Sequence, residues 1–211
     1  MVILKKALTE STWAQLKEAA QNGELYRLLD KGDQIPITLK NGEDVSLTVG
    51  QDEHGKVYFC FEDCIFDEYP MNRRNTNEGG WAATDMRRRL NTSLFALLPD
   101  DLQAVIEPTK IVQIIDGERV ETEDKLFLFS KTQMFGKGSW SEIEPEDTQI
   151  NIFKTEKSRV KECAGHGTWW YFLRTPYNGA TYRFCVVGIS GIAYTNTASN
   201  SIGVAPGFCI T

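Results

Sequence analysis

Two histidines and five cysteines are the residues best suited to chemistry in this 211-residue chain, and their spacing gives that chemistry little support. His54 lies in the turn Asp52 to Gly55 and His166 in Gly165-His166-Gly167. Neither has a local partner of the kind that general-base or triad work needs, so both read as solvent-facing turn residues. Cys163 and His166 have a Cys-x-x-His spacing and Cys60 and Cys64 stand four apart. A structural zinc site takes four ligands in two tight pairs, so no metal is expected here. Gly-rich phosphate loops, a Gly-x-Ser-x-Gly elbow and EF-hand patterns do not occur. Asp100-Asp101 sits at a helix start, where the helix dipole accounts for it. The one basic run, Arg87 to Arg89, reads as a solvated helix face or as ion-pair partners. With a net charge of -6 this excludes nucleic acid as the main partner. The expectation is a protein that is not an enzyme and has no cofactor.

The unusual chemistry is in the tail. Ile189 to Gly203, ISGIAYTNTASNSIG, carries no charged residue, and from Arg174 to Thr211 there is no Lys, Glu, Gln, Met or Trp. Those five types make up 47 of the first 173 residues, so the tail lacks more than charge alone. A surface β region normally carries Lys and Glu on its solvent faces, where they aid solubility and block edge pairing. Upstream of it, Trp169-Trp170-Tyr171-Phe172 alternates sides of a strand, so one pair enters the core and the other lines a surface. Trp169 and Tyr171 are the candidates for stacking on a ligand.

The elements that must position this tail follow from periodicity. Trp13, Leu16 and Ala20 recur at helical spacing and Asn22-Gly23 supplies a stop, which predicts an N-terminal helix. Three β-rich runs between Gln34 and Phe61 are split by Asn41-Gly42 and by Asp52 to Gly55, which predicts an antiparallel meander over about residues 34–62. Thr84 caps a helix with Met86, Leu90, Leu94 and Leu97 on one face, and Pro99 opens another. TKIVQII and KLFLFS read as strands about the turn Asp116-Gly117, residues 136–147 as an irregular loop, and residues 151–161 as partly helical. After Trp169 short antiparallel strands alternate with turns. The fold class is α+β, with residues 1–27 a helical segment and 28–211 a single domain. The five cysteines, odd in number and irregularly spaced, are expected as free buried thiols. The N-terminus has only Val2 to Leu4 before Lys5, and no run approaches the ~20 apolar residues of a membrane span. Cytoplasmic synthesis without membrane insertion is expected.

A set of phrases occurs in an order that resembles a known family: Met71-Asn72, Thr76-Asn77, Gly79-Gly80-Trp81, Met86-Arg87 with Leu90-Asn91, Leu98-Pro99-x-Asp101-Leu102, Asp124 to Phe127, Phe172 to Pro176 and Gly203 to Ile210. From about Asp30 to Ile210 the chain resembles an uncharacterised domain family common in gut bacteria and their phages, whose end is similar to C-type-lectin-like folds. The tail is similar in arrangement to the variable proteins of diversity-generating retroelements, in which adenines of a template copy are mutated. An Asn codon ending in a pyrimidine cannot become Lys, Glu, Gln, Met or Trp by that route, and these are the five types missing. The resemblance implies a C-type-lectin-like fold with antiparallel sheets, helices and long loops. It implies a fixed frame of Phe184, Val187, Gly191, Ala198, Gly203, Val204, Pro206 and Phe208. Between frame residues lies a candidate ligand-binding set: Asn178, Thr181, Tyr182, Arg183, Val186, Gly188, Ser190, Ile192, Tyr194, Thr195, Asn196 and Thr197. Ala180, Ser199, Asn200 and Ile202 belong to the same accessible types. The alternative is a polar sheet that drifted without any retroelement.

Three functions follow as expectations. One is a non-catalytic ligand- or receptor-binding module of phage or prophage origin, associated with a virion, whose partner is a protein or glycan on a cell surface or another phage or bacterial protein. Tyr offers contact area at low entropy cost and Ser, Thr and Asn offer adaptable hydrogen bonds, which suits recognition. A structural or partner-docking protein anchored through Trp13 and Leu16 is the alternative. Last comes a relative of the sulfatase-modifying, formylglycine-generating oxidases, for which Cys185 and Cys209 would form the reactive pair. Since the tail has no Asp or Glu, a calcium site of the sugar-binding lectin type is not expected there.

Overall fold

The computed structural model describes residues 12–65 and 68–210, with Tyr26 described by its backbone alone. Helix α1 (Trp13–Gln21) begins at Thr12, whose hydroxyl accepts the Gln15 amide while the Gln15 side chain returns to the Thr12 N–H. It ends at Asn22, followed by Gly23 at φ 68°. Trp13 and Leu16 are buried, and the Trp13 ring packs edge-on against Phe59 at 5.8 Å and Phe208 at 6.4 Å. The described part of the N-terminal segment is therefore built into the common core.

Strands β1 (Gln34–Thr38), β2 (Asp44–Gln51) and β3 (Val57–Phe61) form the expected antiparallel meander. The sheet is completed from far along the chain. Strand β12 (Pro206–Phe208) inserts between β3 and β6 (Phe127–Leu128), so the last strand closes the first sheet in the order β1-β2-β3-β12-β6. Phe208 stacks on Phe59 with ring centroids 5.2 Å apart and planes 6° from parallel.

Thr84 caps α2 (Asp85–Arg89) as expected, with its hydroxyl accepting the Arg87 amide. The segment does not stay α-helical: a π turn over Leu90–Leu94 and a 3-10 turn over Phe95–Leu97 follow. That change of period keeps Leu90 and Leu94 buried while Leu97 is only half-buried. The short helix α3 (Asp100–Gln103) starts after Pro99. Of the three arginines, Arg88 pairs with Asp85, Arg89 lies over the Tyr69 ring at 4.0 Å, and Arg87 reaches Asp124 at 2.7 Å.

Strand β4 (Thr109–Ile115) turns at Asp116-Gly117, both at positive φ, the tight hairpin turn that matches strand twist. Its partner corrects the sequence reading: it is β5 (Glu118–Asp124), ERVETED, and the KLFLFS run enters the five-stranded sheet instead. A two-stranded ribbon open to solvent tolerates a strand of charges, so the apolar pattern was absent where the pairing is. Asp124 ends β5 buried and gathers hydrogen bonds from Trp81 Nε1 at 2.9 Å, Thr122 Oγ1 at 2.8 Å and Asn91 Nδ2 at 3.2 Å. This hub ties together three of the phrases that carried the family resemblance.

Helix α4 (Lys131–Phe135), an irregular stretch over residues 136–149 and helix α5 (Glu156–Arg159) lead to the hairpin β7 (Lys161–Cys163) and β8 (Gly167–Trp169). The chain then enters β9 (Tyr171–Pro176), β10 (Arg183–Val187) and β11 (Ala193–Thr197), a three-stranded antiparallel sheet in the order β11-β10-β9. The fold is thus α+β with antiparallel sheets throughout the named strand pairs. No described helix is long and apolar enough to cross a membrane.

The cysteine expectation needs correction. Cys64 and Cys163 are joined by a disulfide across 99 residues of sequence, while Cys60, Cys185 and Cys209 are free and buried as expected. The pairing is made by the β7-β8 hairpin, which lies against the end of β3: the Cys64 amide donates to Glu162 O at 2.9 Å and buried Lys161 donates to Phe61 O at 2.6 Å. No local spacing signals such a contact.

Candidate functional site

The tail, which has no Lys, Asp or Glu, starts inside the three-stranded sheet. β10 is its central strand, and Phe184, Cys185, Val186 and Val187 are all buried. β11 pairs with β10 from Arg183↔Thr197 to Val187↔Ala193 and has no second neighbour among the described residues, so it is an edge strand there. Its five residues, Ala-Tyr-Thr-Asn-Thr, include neither a charge nor a proline, the usual means of blunting an edge.

Two turns flank the central strand and both are held from a distance. In the turn 177–183, the Asn77 side-chain amide donates to the carbonyls of Tyr177, Ala180 and Arg183 at 3.1, 2.9 and 2.7 Å, and the Asn77 N–H donates to Thr181 O at 2.8 Å. In the turn 188–192, Gly191 stands at φ 75° so close to α5 that a Cβ there would lie 1.9 Å from Glu156 O. The buried Arg159 guanidinium donates to Gly191 O at 2.8 Å and to Phe153 O at 2.7 Å, which fixes the turn on α5. The turns are at opposite ends of five-residue β10, ~17 Å apart at the usual rise per residue.

All eight frame positions, Phe184, Val187, Gly191, Ala198, Gly203, Val204, Pro206 and Phe208, are buried. Among the candidate ligand-binding residues, Asn178, Thr181, Tyr182, Ser190 and Tyr194 are exposed, and Arg183, Ile192, Thr195, Asn196 and Thr197 are half-buried. Val186 and Gly188 are corrections: both are buried. Val186 faces the core beside Phe172 across the β9-β10 pair, and Gly188 is covered by the Tyr194 ring, which would lie 2.8 Å from a Cβ at that position. Ile202, of the same accessible types, is buried as well.

The accessible residues do not share one face. Tyr194 stands opposite Val186 and Asn196 opposite Phe184, whereas Thr195 and Thr197 stand opposite Cys185 and Arg183 on the other side of the sheet. Arg183 Nη1 donates to Thr195 Oγ1 at 3.0 Å and lies 5.6 Å over the Tyr182 ring, while Tyr194 tilts onto Trp170 at 4.9 Å. The result is a strip along the edge and rim of the sheet rather than a flat patch or a single pocket. Among the upstream aromatics, Tyr171 is wholly buried with its hydroxyl donating to Arg159 O at 2.6 Å, so it cannot stack on a ligand. Trp169 is stacked on His166 at 4.3 Å, and it is Trp170 that adjoins the strip. His166 also reaches Glu68 at 3.2 Å and so is a partnered residue instead of a bare turn histidine.

Around β9, at the start of the tail, lies a buried polar network that pattern reading missed. Arg174 opens the tail fully buried, donating to Leu128 O and to Gln133 Oε1 at 2.8 Å each and pairing with Asp147. Glu144, also buried, accepts from Thr175 Oγ1 at 2.8 Å and Gln113 Nε2 at 3.2 Å. Burial pushes its carboxyl up to about 7 despite nearby Arg174. Gln113 Oε1 in turn accepts the Trp81 amide at 2.8 Å. The available signal was the charged or amide residue placed within apolar runs, Gln113 in TKIVQII and Arg174 in WWYFLRTP, since such residues enter a core only when paired. The two thiols of the oxidase reading are on different sheets, Cys185 in β10 and Cys209 just after β12. Burial pushes them up to about 12 and about 11, the opposite of an activated nucleophile.

Neither the search of curated proteins nor that of solved structures finds a match. A family model matches residues 55–211, from the turn before β3 to the end of the chain, and so takes in both polar hubs, the disulfide and the whole strip. By this match over most of its length the chain belongs to the family described as domain of unknown function DUF6273.

Proposed function

We propose that this protein is a non-catalytic ligand- or receptor-binding module that presents residues 178–202 as its recognition surface. One observation carries the reading. The large hydrophobic side chains exposed among the described residues are Tyr177 (37%), Tyr182 (41%), Ile189 (52%) and Tyr194 (45%), and all lie in one stretch around the three-stranded sheet. Apolar groups left in water along one edge strand and two turns fixed by remote hydrogen bonds are a surface prepared for contact at low entropic cost. Because the strip is extended, a protein segment or a glycan chain on a cell surface fits it better than a compact metabolite. A C-type-lectin-like fold of phage or prophage origin, with the strip diversified by a retroelement, is the fuller form of this reading. It draws support from the buried frame residues and from thirteen of the sixteen accessible-type positions being open to solvent. The docking alternative loses its anchor, since Trp13 and Leu16 pack on the protein's own core.

The test is binding of the labelled protein to a panel of bacterial cells and a glycan array. The doubly substituted Tyr182→Ala, Tyr194→Ala protein should lose that binding while its thermal midpoint falls by about 5 °C at most, and unchanged binding would place recognition elsewhere. The diversification is read from DNA: a near-identical copy of the gene's 3′ end differing only at adenines, beside a reverse transcriptase.

A further inference from the structure

Next to the turn 177–183 four separate segments of chain enclose a cleft of about 520 Å³, within the size range of ligand sites. Ile114, Ile115 and Ile143 supply its apolar wall and Tyr177 stands at its mouth. The walls are fixed to one another: Ile114 N donates to Ile143 O at 2.8 Å, and Asn77 clamps the turn that bears Tyr177. Gly79, at φ 74°, also lines the cleft.

The polar lining has one sign. Glu78 and Asp116 border the cleft, and no Lys, Arg or His lines it. Several other acids are paired, Asp85 with Arg88, Glu121 and Glu146 with Arg119, and Asp147 with Arg174, whereas Glu118 and Glu142, which flank the cleft-lining residues in sequence, have no ion pair among the described residues. Glu78 and Asp116 have no ion pair and no side-chain hydrogen bond among the described residues. A cationic occupant would complement these carboxylates, and an anionic one would be repelled. Arg73 and Arg74 line a neighbouring hollow that shares Thr76, Glu78 and Gly79 with the cleft, so Glu78 is the boundary between a basic and an acidic hollow.

Resting on the recognition surface proposed above, we infer that this cleft receives a lysine or arginine side chain from an extended segment of a protein partner. The aliphatic stem lies on the isoleucines, the cation meets Glu78 and Asp116, and the Tyr177 ring offers its face to the same charge. A peptide is the occupant chosen because the cleft opens on the turn that begins the strip, so a chain lying along the strip reaches it.

The experiment uses the ¹⁵N-labelled full chain and three peptides, Ac-Gly-Gly-Lys-Gly-Gly-NH₂ and its norleucine and glutamate counterparts. The lysine peptide should shift the amides of Gly79, Asp116, Tyr177 and Thr181 saturably in the millimolar range, and the other two should not. The variant Glu78→Gln, Asp116→Asn should weaken binding about five-fold, the size that two partly exposed charge pairs carry. Both substitutions are at exposed sites, and Asn tolerates the positive φ of 52° at position 116, so the fold is preserved. Equal shifts from norleucine, tighter binding of glutamate, an unaffected variant, displacement by calcium at equal concentration, or no shift at all would each overturn the inference. Tyr182 and Tyr194 do not line the cleft. Loss of cell or glycan binding in their variant alongside a silent lysine peptide would sink the cleft and leave the binding-strip reading standing.

Discussion

Residues 203–210, Gly-Val-Ala-Pro-Gly-Phe-Cys-Ile, are buried from end to end, whereas in residues 189–202, which run straight into them, only Gly191, Ala198 and Ile202 are buried. Both stretches lack charge, and the reasons are opposite. In the later one a charge would enter the core, for β12 is sealed between β3 and β6 and backed by Trp13 and Phe59. In the earlier one charge would be free to sit in water, and small polar and aromatic side chains stand in its place. Shared composition therefore joins a keystone strand to an open rim, and only packing separates them.

The sharpest break between the two comes from core truncation. Phe208→Ala should cost about 3–5 kcal/mol in a urea denaturation, as removal of a fully buried ring does, and a loss under 1 kcal/mol would mean that β12 is not the keystone described. Next in size is the disulfide clasp against the segment that leads into that strand. At Gly203 a Cβ would lie 2.5 Å from the sulfurs of both Cys64 and Cys163. Replacing both cysteines by serine should lower stability by about 2–4 kcal/mol, given the long loop the bond closes, with the reduced wild type matching the variant.

A smaller, pH-dependent effect tests the start of the tail. Burial raises the folded carboxyl of Glu144 to about 7 from 4.5, so the folded state holds this proton more tightly than the unfolded chain does. Its contribution is fully present below about pH 4.5 and is lost as pH rises through 7, by up to roughly 3 kcal/mol. Denaturation at pH 5 and pH 8 should show that fall, and Glu144→Gln should flatten it. The smallest effects belong to the rim: Tyr182→Ala and Ile189→Ser should each change stability by no more than ~0.5 kcal/mol, and Tyr194→Ala by up to about 1 because its ring rests on Trp170. A large loss at Tyr182 would erase the distinction between rim and core.

The meander, the capped helix at Thr84 and the strands of the tail were legible because turn residues and apolar periodicity are local signals. The burial of the frame residues was legible only through resemblance. Three things were hidden. ERVETED carries no apolar period, and beside the backbone ladder a Lys110–Glu121 ion pair links it to β4. The disulfide depends on a hairpin docking 99 residues away. Val186 and Gly188 have the same small or β-branched character as their exposed neighbours, and their burial follows from register and from where the Tyr194 ring falls. The polar hubs at Asp124 and Glu144 were visible merely as charged or amide residues near apolar runs, with partners supplied by tertiary contact.

Asn77 has a consequence for how the protein tolerates change. Its single amide group grips three carbonyls of a turn a hundred positions downstream, and every one of those contacts is to main chain. The shape of that turn is therefore specified outside the turn, and the side chains at 178, 181 and 182 carry little of the duty of folding it. A library randomised at these three sites should keep nearly all members folded, while the same library built on Asn77→Ala should not. In that sense the loop is written in two places, its form upstream and its content in the tail, and the content is open to revision.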